Sequence, residues 1–488
     1  MGAFHAKGPV KPEAPVTRGG RGLQTSASRP SSAPPRPAVP GPRGAPWVGV
    51  ALHLRRDPLR VLREAADRFG DVVALGRCPH PLYLINHPTL IQQILDQPAH
   101  YTKGPSVSRI TPLFGAGLTT SDGALWRHQR PLLTTAWQAY QRADLTRTVA
   151  AATTEILARW QPHAQSGQPL DLTAALEDVT WTLMLRVLFG PDTPDPGPRV
   201  RAAMRTALAA TNRRIWALWA LPLAVPTRQN RRLRQALHTL ETFIHQQITA
   251  RQQPGGCLAD LVATLVAGPG AAPEQTMLTT QVRDEILTLW VAGQTTMAAA
   301  LTWIWLLVCH HPAIERGLQE DVRHARWEDL RTAPDLRTLS YTPLIIAEAL
   351  RLYPPTWVTA RSPVSAVELG GYAIPAGAVL LLSPYTMHRH PAFWEAPEQC
   401  VPERFLRERS LGRPRYVYFP FGGGPRLCLG RGLALQALQM IVALMACTYR
   451  LRLVPGPPVW PVPALTLRPS RALWCTVELQ TLPKCTGA

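Results

Sequence analysis

A chain of 488 residues with 46% apolar side chains is long enough to bury a large core, and no internal repeat or second composition regime interrupts it after the N-terminus. Its net charge of +20 is spread along the chain and comes from arginine far more than from its four lysines (Lys7, Lys11, Lys103, Lys484), which weighs against a basic nucleic-acid-binding protein. Eight cysteines (Cys78, Cys257, Cys309, Cys400, Cys428, Cys447, Cys475, Cys485) show no C-x-x-C spacing and no histidine pairs at zinc-finger distance, which argues against a structural zinc site and a secreted disulfide scaffold.

Residues 1–39 are rich in Pro, Gly, Ser and Arg without apolar periodicity, so they cannot offset the entropy of ordering and are expected to form a disordered tail. Their apolar residues are too scattered for a signal-peptide core or a membrane anchor, and a cytoplasmic protein is expected. Residues 40–488 are expected to form one large domain. Pro40, Gly41, Pro42, Gly44, Pro46 and Gly49 make a stiff, turn-rich lead into it. Apolar runs at Val72–Leu75 and Leu82–Ile85 predict short strands, while helical patterns broken by Gly and Pro clusters dominate to about residue 350. The fold class is therefore mainly α with small β-sheets. Trp216–Leu223 is an apolar patch between Arg213, Arg214 and the basic run Arg228, Arg231, Arg232, Arg234. It reads as a helix end packed into the core or as a surface that brushes a membrane.

Thr280–Cys309 is the longest predicted helix, stopped by His310, His311 and Pro312. No charged side chain falls between Ile286 and Cys309, a length sufficient to span a bilayer. The polar cluster Gly293, Gln294, Thr295, Thr296 at its middle, with no second comparable span, favours a buried central helix passing over a cofactor. Further on, Glu348 and Arg351 stand three apart on one helix face and can pair. The loop Phe421–Gly430 then isolates one cysteine, Cys428, just before a helix. Three consecutive glycines let the backbone pass close to a flat ligand, amides at the helix start stabilise negative charge on sulfur, and Arg426 adds a cation. Such a loop presents a thiolate to a metal, whereas a lone cysteine would read as a small core hydrophobe.

Phe421, Gly424, Arg426, Cys428 and Gly430 fill all five fixed positions of F-x-x-G-x-R-x-C-x-G, and the stretch resembles the haem-ligating signature of the cytochrome P-450 family. Further blocks follow in family order. Gly115, Gly117, Leu118, Ser121, Asp122, Gly123, Trp126 and Arg130 resemble the G-x-G-L-x-x-S-D-G-x-x-W-x-x-x-R segment. Ala292–Thr296 resembles A-G-x-D/E-T-T. Glu348 and Arg351, followed by Pro402, Glu403, Arg404 and Phe405, look like the E-x-x-R helix and its P-E-R-F segment. The resemblance covers the chain from about residue 40 onward. It implies the cytochrome P-450 fold over a catalytic domain at 40–488, and haem b (iron protoporphyrin IX) with Cys428 as its axial thiolate, cradled by Phe421, Gly424 and Gly430.

The same resemblance makes Trp126, Arg130, Arg361 and Arg426 the donors to the two haem carboxylates, a task that suits arginine's fixed fork. Glu348, Arg351 and Arg404 would lock the haem-binding core, and Trp216–Leu223 would be a lid over the substrate channel. Gly293 would leave room for oxygen, and Thr296 falls on the threonine that serves bound dioxygen. The chain departs from the pattern at Thr295, where the family carries an acid, and at Met297. Cleaving the O–O bond needs protons in order, and a positioned acid contributes about 10²–10⁴-fold. Thr295 cannot be that acid; a water chain, the substrate's own hydroxyl, or Gln294 orienting water are the substitutes.

The implied function is a monooxygenase that inserts one oxygen atom from O2 into a hydrophobic small molecule by hydroxylation or epoxidation. A peroxide-using or substrate-rearranging enzyme is the alternative on the same fold. No flavin or nicotinamide domain is present, so electrons would come from a separate acidic ferredoxin or flavodoxin with its reductase, docking on a face that includes Arg127, Arg413, Arg415 and Arg431. The protein is expected to be a monomer with no transmembrane anchor.

Overall fold

Proline sets where many of the helices begin. Pro58, Pro88, Pro198 and Pro312 each occupy a first helical position, where a missing N–H is no loss. The computed structural model describes residues 38–44, 50–76, 80–217, 220–253, 260–267, 277–325 and 336–480. Of the expected tail, only Ala38 and Val39 fall among them.

In chain order the elements are α1 (Ala51–Arg56), α2 (Pro58–Phe69), β1 (Val72–Gly76), β2 (Leu82–Ile85), α3 (Pro88–Leu95), β3 (Tyr101–Thr102), α4 (Thr111–Phe114), α5 (Gly123–Ala158), α6 (Gln161–Ser166), β4 (Leu170–Asp171), α7 (Leu172–Phe189), α8 (Pro198–Trp216), α9 (Arg228–Gln252), α10 (Leu261–Ala267), α11 (Thr279–His310) and α12 (Pro312–His324). They continue with α13 (Thr342–Leu352), β5 (Thr359–Pro363), β6 (Val367–Leu369), β7 (Tyr372–Ile374), β8 (Val379–Leu382), α14 (Pro384–Met387), α15 (Arg407–Ser410), α16 (Arg431–Thr448), β9 (Tyr449–Leu453), β10 (Pro461–Pro463), β11 (Leu467–Pro469) and β12 (Trp474–Leu479). The mainly helical expectation holds, and both predicted strands form. The largest sheet has the order β1-β2-β8-β5-β3, with β2 and β8 parallel and the other pairs antiparallel.

Helix α11 begins and ends within a residue of its predicted limits, because its apolar run is continuous and Pro312 ends it. It packs along α7 through Trp290, whose ring lies 4.9 Å from Trp181 and 5.7 Å from Phe189 and from Phe243 of α9. Lower down, Trp303 stacks on Tyr353 at 3.9 Å and donates its Nε1–H to the Leu467 carbonyl at 2.9 Å. Both α11 and α16 are long and apolar enough to cross a membrane, contrary to the expectation of no second comparable span. Each is mostly buried inside the protein: 72% and 61% of their apolar windows are covered.

Helix α13 is tied to the later chain by one fully buried pair. Arg351 donates to Glu348 through Nε at 2.7 Å and through a terminal nitrogen at 2.8 Å. Its remaining donors reach the carbonyls of His388 (2.9 Å), Pro397 (2.7 Å) and Gln399 (2.9 Å). Glu348 also accepts from the Val401 amide at 2.8 Å, and Arg404 stands 3.6 Å from it. His388 in turn accepts from the Phe419 amide at 2.9 Å, two residues before the cysteine loop. Burial, with Arg351 beside it, pushes the His388 imidazolium down to about 3, so the ring is neutral.

Removing one partner of a buried ion pair strands the other. Glu348→Ala is expected to cost about 3–5 kcal/mol in thermal or denaturant unfolding. For His388, the folded pKa is depressed below the ordinary 6.5, so its contribution is present above that pH and is lost as pH falls toward about 3. In His388→Gln the loss of stability across that window is expected to be shallower than in the native protein.

Candidate active site

The cysteine loop closes on itself: the Cys428 amide donates to the Phe421 carbonyl at 3.0 Å. The amides of Gly430 and Arg431, at the start of α16, point at the sulfur. Burial raises the thiol's pKa, while those amides and the charges of Arg130 and Arg431 pull it down. Cys428 is nevertheless solvent-accessible. Burial also pushes the thiols of Cys309, Cys400, Cys447 and Cys475 up, each to about 12, with no backbone amide opposing it. Among the described residues only Cys428 is both accessible and provided with donors.

Two of the loop's glycines are required by close approach of the protein itself. A Cβ on Gly423 would lie 2.1 Å from the Tyr416 ring. Gly424 has φ +62°, and a Cβ there would lie 2.1 Å from the Leu95 carbonyl oxygen at the end of α3. Gly430 meets nothing closer than Trp137 at 3.9 Å. Phe421 packs half-buried against the main core.

Beside the loop lies an excess of buried positive charge. Arg426 donates to the Tyr101 carbonyl at 2.8 Å, pairs with Asp122, and lies 5.2 Å over the Trp126 ring, but its Nε is buried without a partner. Arg361, on β5, is also buried and donates to Ala360 O and Thr359 Oγ1. Arg130 donates to the carbonyl of Leu427, next to the cysteine, at 2.9 Å. Lys103 donates to the carbonyls of Leu118 (2.6 Å) and Ser121 (2.7 Å). Burial and Arg426 push the Lys103 ammonium down to about 7 and the Arg361 guanidinium to about 10. Three cations grouped around Asp122 (Lys103, Arg361 and Arg426), with Arg130 beside the cysteine, are electrostatically incomplete, and a dianion would relieve them. The orphaned Arg426 donor, the accessible thiol and this excess fit a flat metal group carrying two carboxylates.

Lys103 and the bridging role of Asp122 were not anticipated. The signal available was the scarcity of lysine, with Lys103 the one lysine placed near a motif block. Asp122 caps α5 at Gly123 and accepts from both the Lys103 amide and Arg426, so one carboxylate organises three elements.

Helix α11 is covered by protein along most of its length but uncovered around Ala292–Thr296. Thr296 Oγ1 donates back to the Ala292 carbonyl at 2.7 Å and Thr295 Oγ1 to Val291 at 2.8 Å. The Cβ direction of Gly293 is filled by Met184, 2.4 Å from a built Cβ, so this glycine lets α7 approach closely. Gln294 stands about 200° around the helix from Thr296 and has a buried oxygen without a partner, so it does not share the threonine's face.

Three exposed cations of the expected docking face remain: Arg127, Arg415 and Arg431. Arg413 is instead packed over Trp394 (4.4 Å) and Phe405 (5.2 Å) and donates to Arg404 O, because its planar cation suits an aromatic slot. The expected lid connects α8 and α9. Trp216 stacks on Trp357 at 6.0 Å while Leu221 is 52% exposed, and residues 218 and 219 lie outside the described ones.

A family model described as cytochrome P450 matches residues 39–476. Cyclooctatin synthase of Streptomyces melanosporofaciens is 32% identical over 87% of this chain and 92% of its own. Cyclooctat-9-en-7-ol 5-monooxygenase of the same organism is 32% identical over 89% and 94%, and pentalenene oxygenase of Streptomyces avermitilis 30% over 90% and 97%. Among solved structures, the haem domain of cytochrome P450DA superposes with a TM-score of 0.81 at 21% identity, covering 93% of this chain and all of that one. A cyanobacterial CYP120A1 with bound retinoic acid gives 0.80 at 22%, covering 91% of this chain and all of that one.

The glycines separate protein packing from ligand packing. Gly424→Ala is expected to cost at least about 1–3 kcal/mol in thermal unfolding, from its positive φ and the Leu95 collision. Gly430→Ala is expected to cost under roughly 1 kcal/mol, so any larger effect would appear in cofactor retention alone.

Proposed function

The chain belongs to the cytochrome P450 family and is a haem-thiolate monooxygenase, and we propose that Cys428 is its axial ligand and that it oxidises a cyclic terpene hydrocarbon or its alcohol. The observation that carries this reading is the accessible Cys428 thiol beneath two helix amides and beside a buried excess of cations. Bound haem supplies the centre at which electrons and O2 meet. The protein's own contributions follow from its residues. The Gly430 and Arg431 amides hold the thiolate's charge. Arg130, Arg361 and Arg426, with Trp126 and Lys103, would hold the two propionates and thereby complete their own electrostatics. Thr296 keeps its proton on the Ala292 carbonyl and its lone pairs free for water.

The substrate class rests on the names of three relatives, two for cyclooctatin-type compounds and one for pentalenene, together with the apolar α11 and the Trp216–Leu223 connection. A place in secondary metabolism goes with it. Electrons are proposed to come from an acidic ferredoxin or flavodoxin docking on Arg127, Arg415 and Arg431. The catalytic domain is taken as 40–488, a cytoplasmic monomer. A second reading, peroxide-driven turnover or substrate rearrangement, is favoured by one observation: the threonine at the acid position donates only to its own helix. Turnover with peroxide and none with a reductase system would establish it.

The native protein is expected to be red, with a thiolate-type spectrum for its reduced carbon monoxide adduct. Cys428→His is expected to abolish that spectrum; its survival would sink the assignment. In a panel of cyclic terpenes, those that shift the haem absorption are expected to be the ones oxidised. Thr296→Ala should lower product per reducing equivalent about tenfold.

A further inference from the structure

A seam of unsatisfied polar atoms runs between α11 and the loop that connects α4 to α5. The Ala116 amide donates to Asp284 at 2.7 Å and the Leu118 amide to Glu285 Oε2 at 2.9 Å. Gly117 is pressed so close that a Cβ would lie 2.2 Å from Thr288 Oγ1. Around this contact, Glu285 Oε1, Thr288 Oγ1, Ser121 Oγ and Gln129 Oε1 are all buried without a hydrogen-bond partner. Glu285 itself is fully buried and Thr288 nearly so. Orphaned buried polar atoms gathered in one place are the mark of internal water.

Helix geometry aims this seam at the reaction site. Residues 285, 292 and 296 fall within about 40° of one another around α11, with 288 on the flank of that stripe. From Thr288 to Thr296 is about 12 Å of rise, the span of about four hydrogen-bonded waters. Ala292, halfway along, is the exposed, small residue beside that path.

We propose that Glu285 is the acid of this enzyme's proton path, passing protons by way of Thr288 and water along the α11 stripe to Thr296, in place of the acid missing at Thr295. This rests on the monooxygenase reading. Each turnover of that reaction takes up two electrons and two protons per O2, leaving one oxygen atom in the product and one in water. A proton that leaves Glu285 is replaced from solvent by way of Asp284, which pairs with Arg283 and through it approaches Glu241 at the surface. Burial pushes the Glu285 carboxyl up to about 7, with Asp284 raising it further and the Leu118 amide and Lys103 opposing. A group so poised both holds and releases a proton near neutral pH.

The test uses the holoenzyme with a ferredoxin and its reductase and no added substrate. Infrared difference spectra between H2O and D2O are expected to show a protonated carboxyl band in the native protein that Glu285→Gln removes. Glu285→Gln keeps an acceptor for the Leu118 amide, so haem content and unfolding temperature should be unchanged. Reductase-driven O2 consumption should fall about tenfold with a larger H2O/D2O ratio. Adding Thr295→Glu to that variant should restore the rate to within about twofold, a rescue that a merely structural carboxylate would not allow. Native rate and isotope ratio in Glu285→Gln, or a loss that Thr295→Glu does not rescue, would overturn the proposal. A native enzyme that ignores the reductase and turns over peroxide would instead overturn the monooxygenase reading beneath it.

Discussion

The fully buried Glu348–Arg351 pair is the constraint on which the cysteine site depends. Taking two charges out of water is expensive unless every donor and lone pair is used. Here Arg351 spends its donors on one carboxylate and three carbonyls, and those carbonyls belong to the chain that leads into the cysteine loop. The geometry is transmitted stepwise: α13 fixes Arg351, Arg351 fixes the backbone at His388, and His388 fixes the amide of Phe419. The loop that follows can therefore be built from glycines without becoming loose. Its position is set by rigid structure behind it, and its own residues are left to approach their neighbours closely.

A second constraint is electrostatic and runs the other way. The cluster of Lys103, Arg361 and Arg426 has Asp122 as its close acidic counterweight, and Arg130 adds a further cation beside the cysteine. Such an arrangement stores unfavourable charge that a bound dianion relieves, so affinity for the group and stability of the fold are linked quantities. The accessible thiol and the cation cluster thus lie on opposite sides of the same requirement, one for the metal and one for the carboxylates.

Much of this was legible in residue order. The limits of α11, the strands at Val72 and Leu82, and the Glu348–Arg351 pair follow from periodicity, stop signals and spacing, all local properties, whereas Arg404 was tied to that pair only by the family resemblance. What escaped was set by contacts distant in sequence. The roles of Lys103 and Asp122 appear only when β3, α5 and the cysteine loop meet, and the Leu118–Glu285 contact joins residues 167 apart in the chain. The glycines show a related limit: a missing side chain marks close approach but does not say to what. At Gly423, Gly424 and Gly293 the neighbour is the protein itself. Arg413 looked like surface charge because an aromatic slot made by Trp394 and Phe405 cannot be read from its own neighbours.

The contact between Met184 and Gly293 carries a liability of its own. The thioether is the part of Met184 that fits against the glycine, leaving no space for a side chain at position 293. Methionine sulfur accepts oxygen readily, and the sulfoxide is polar, chiral and larger. Oxidation of Met184 would therefore force apart the joint between α7 and α11 at Gly293.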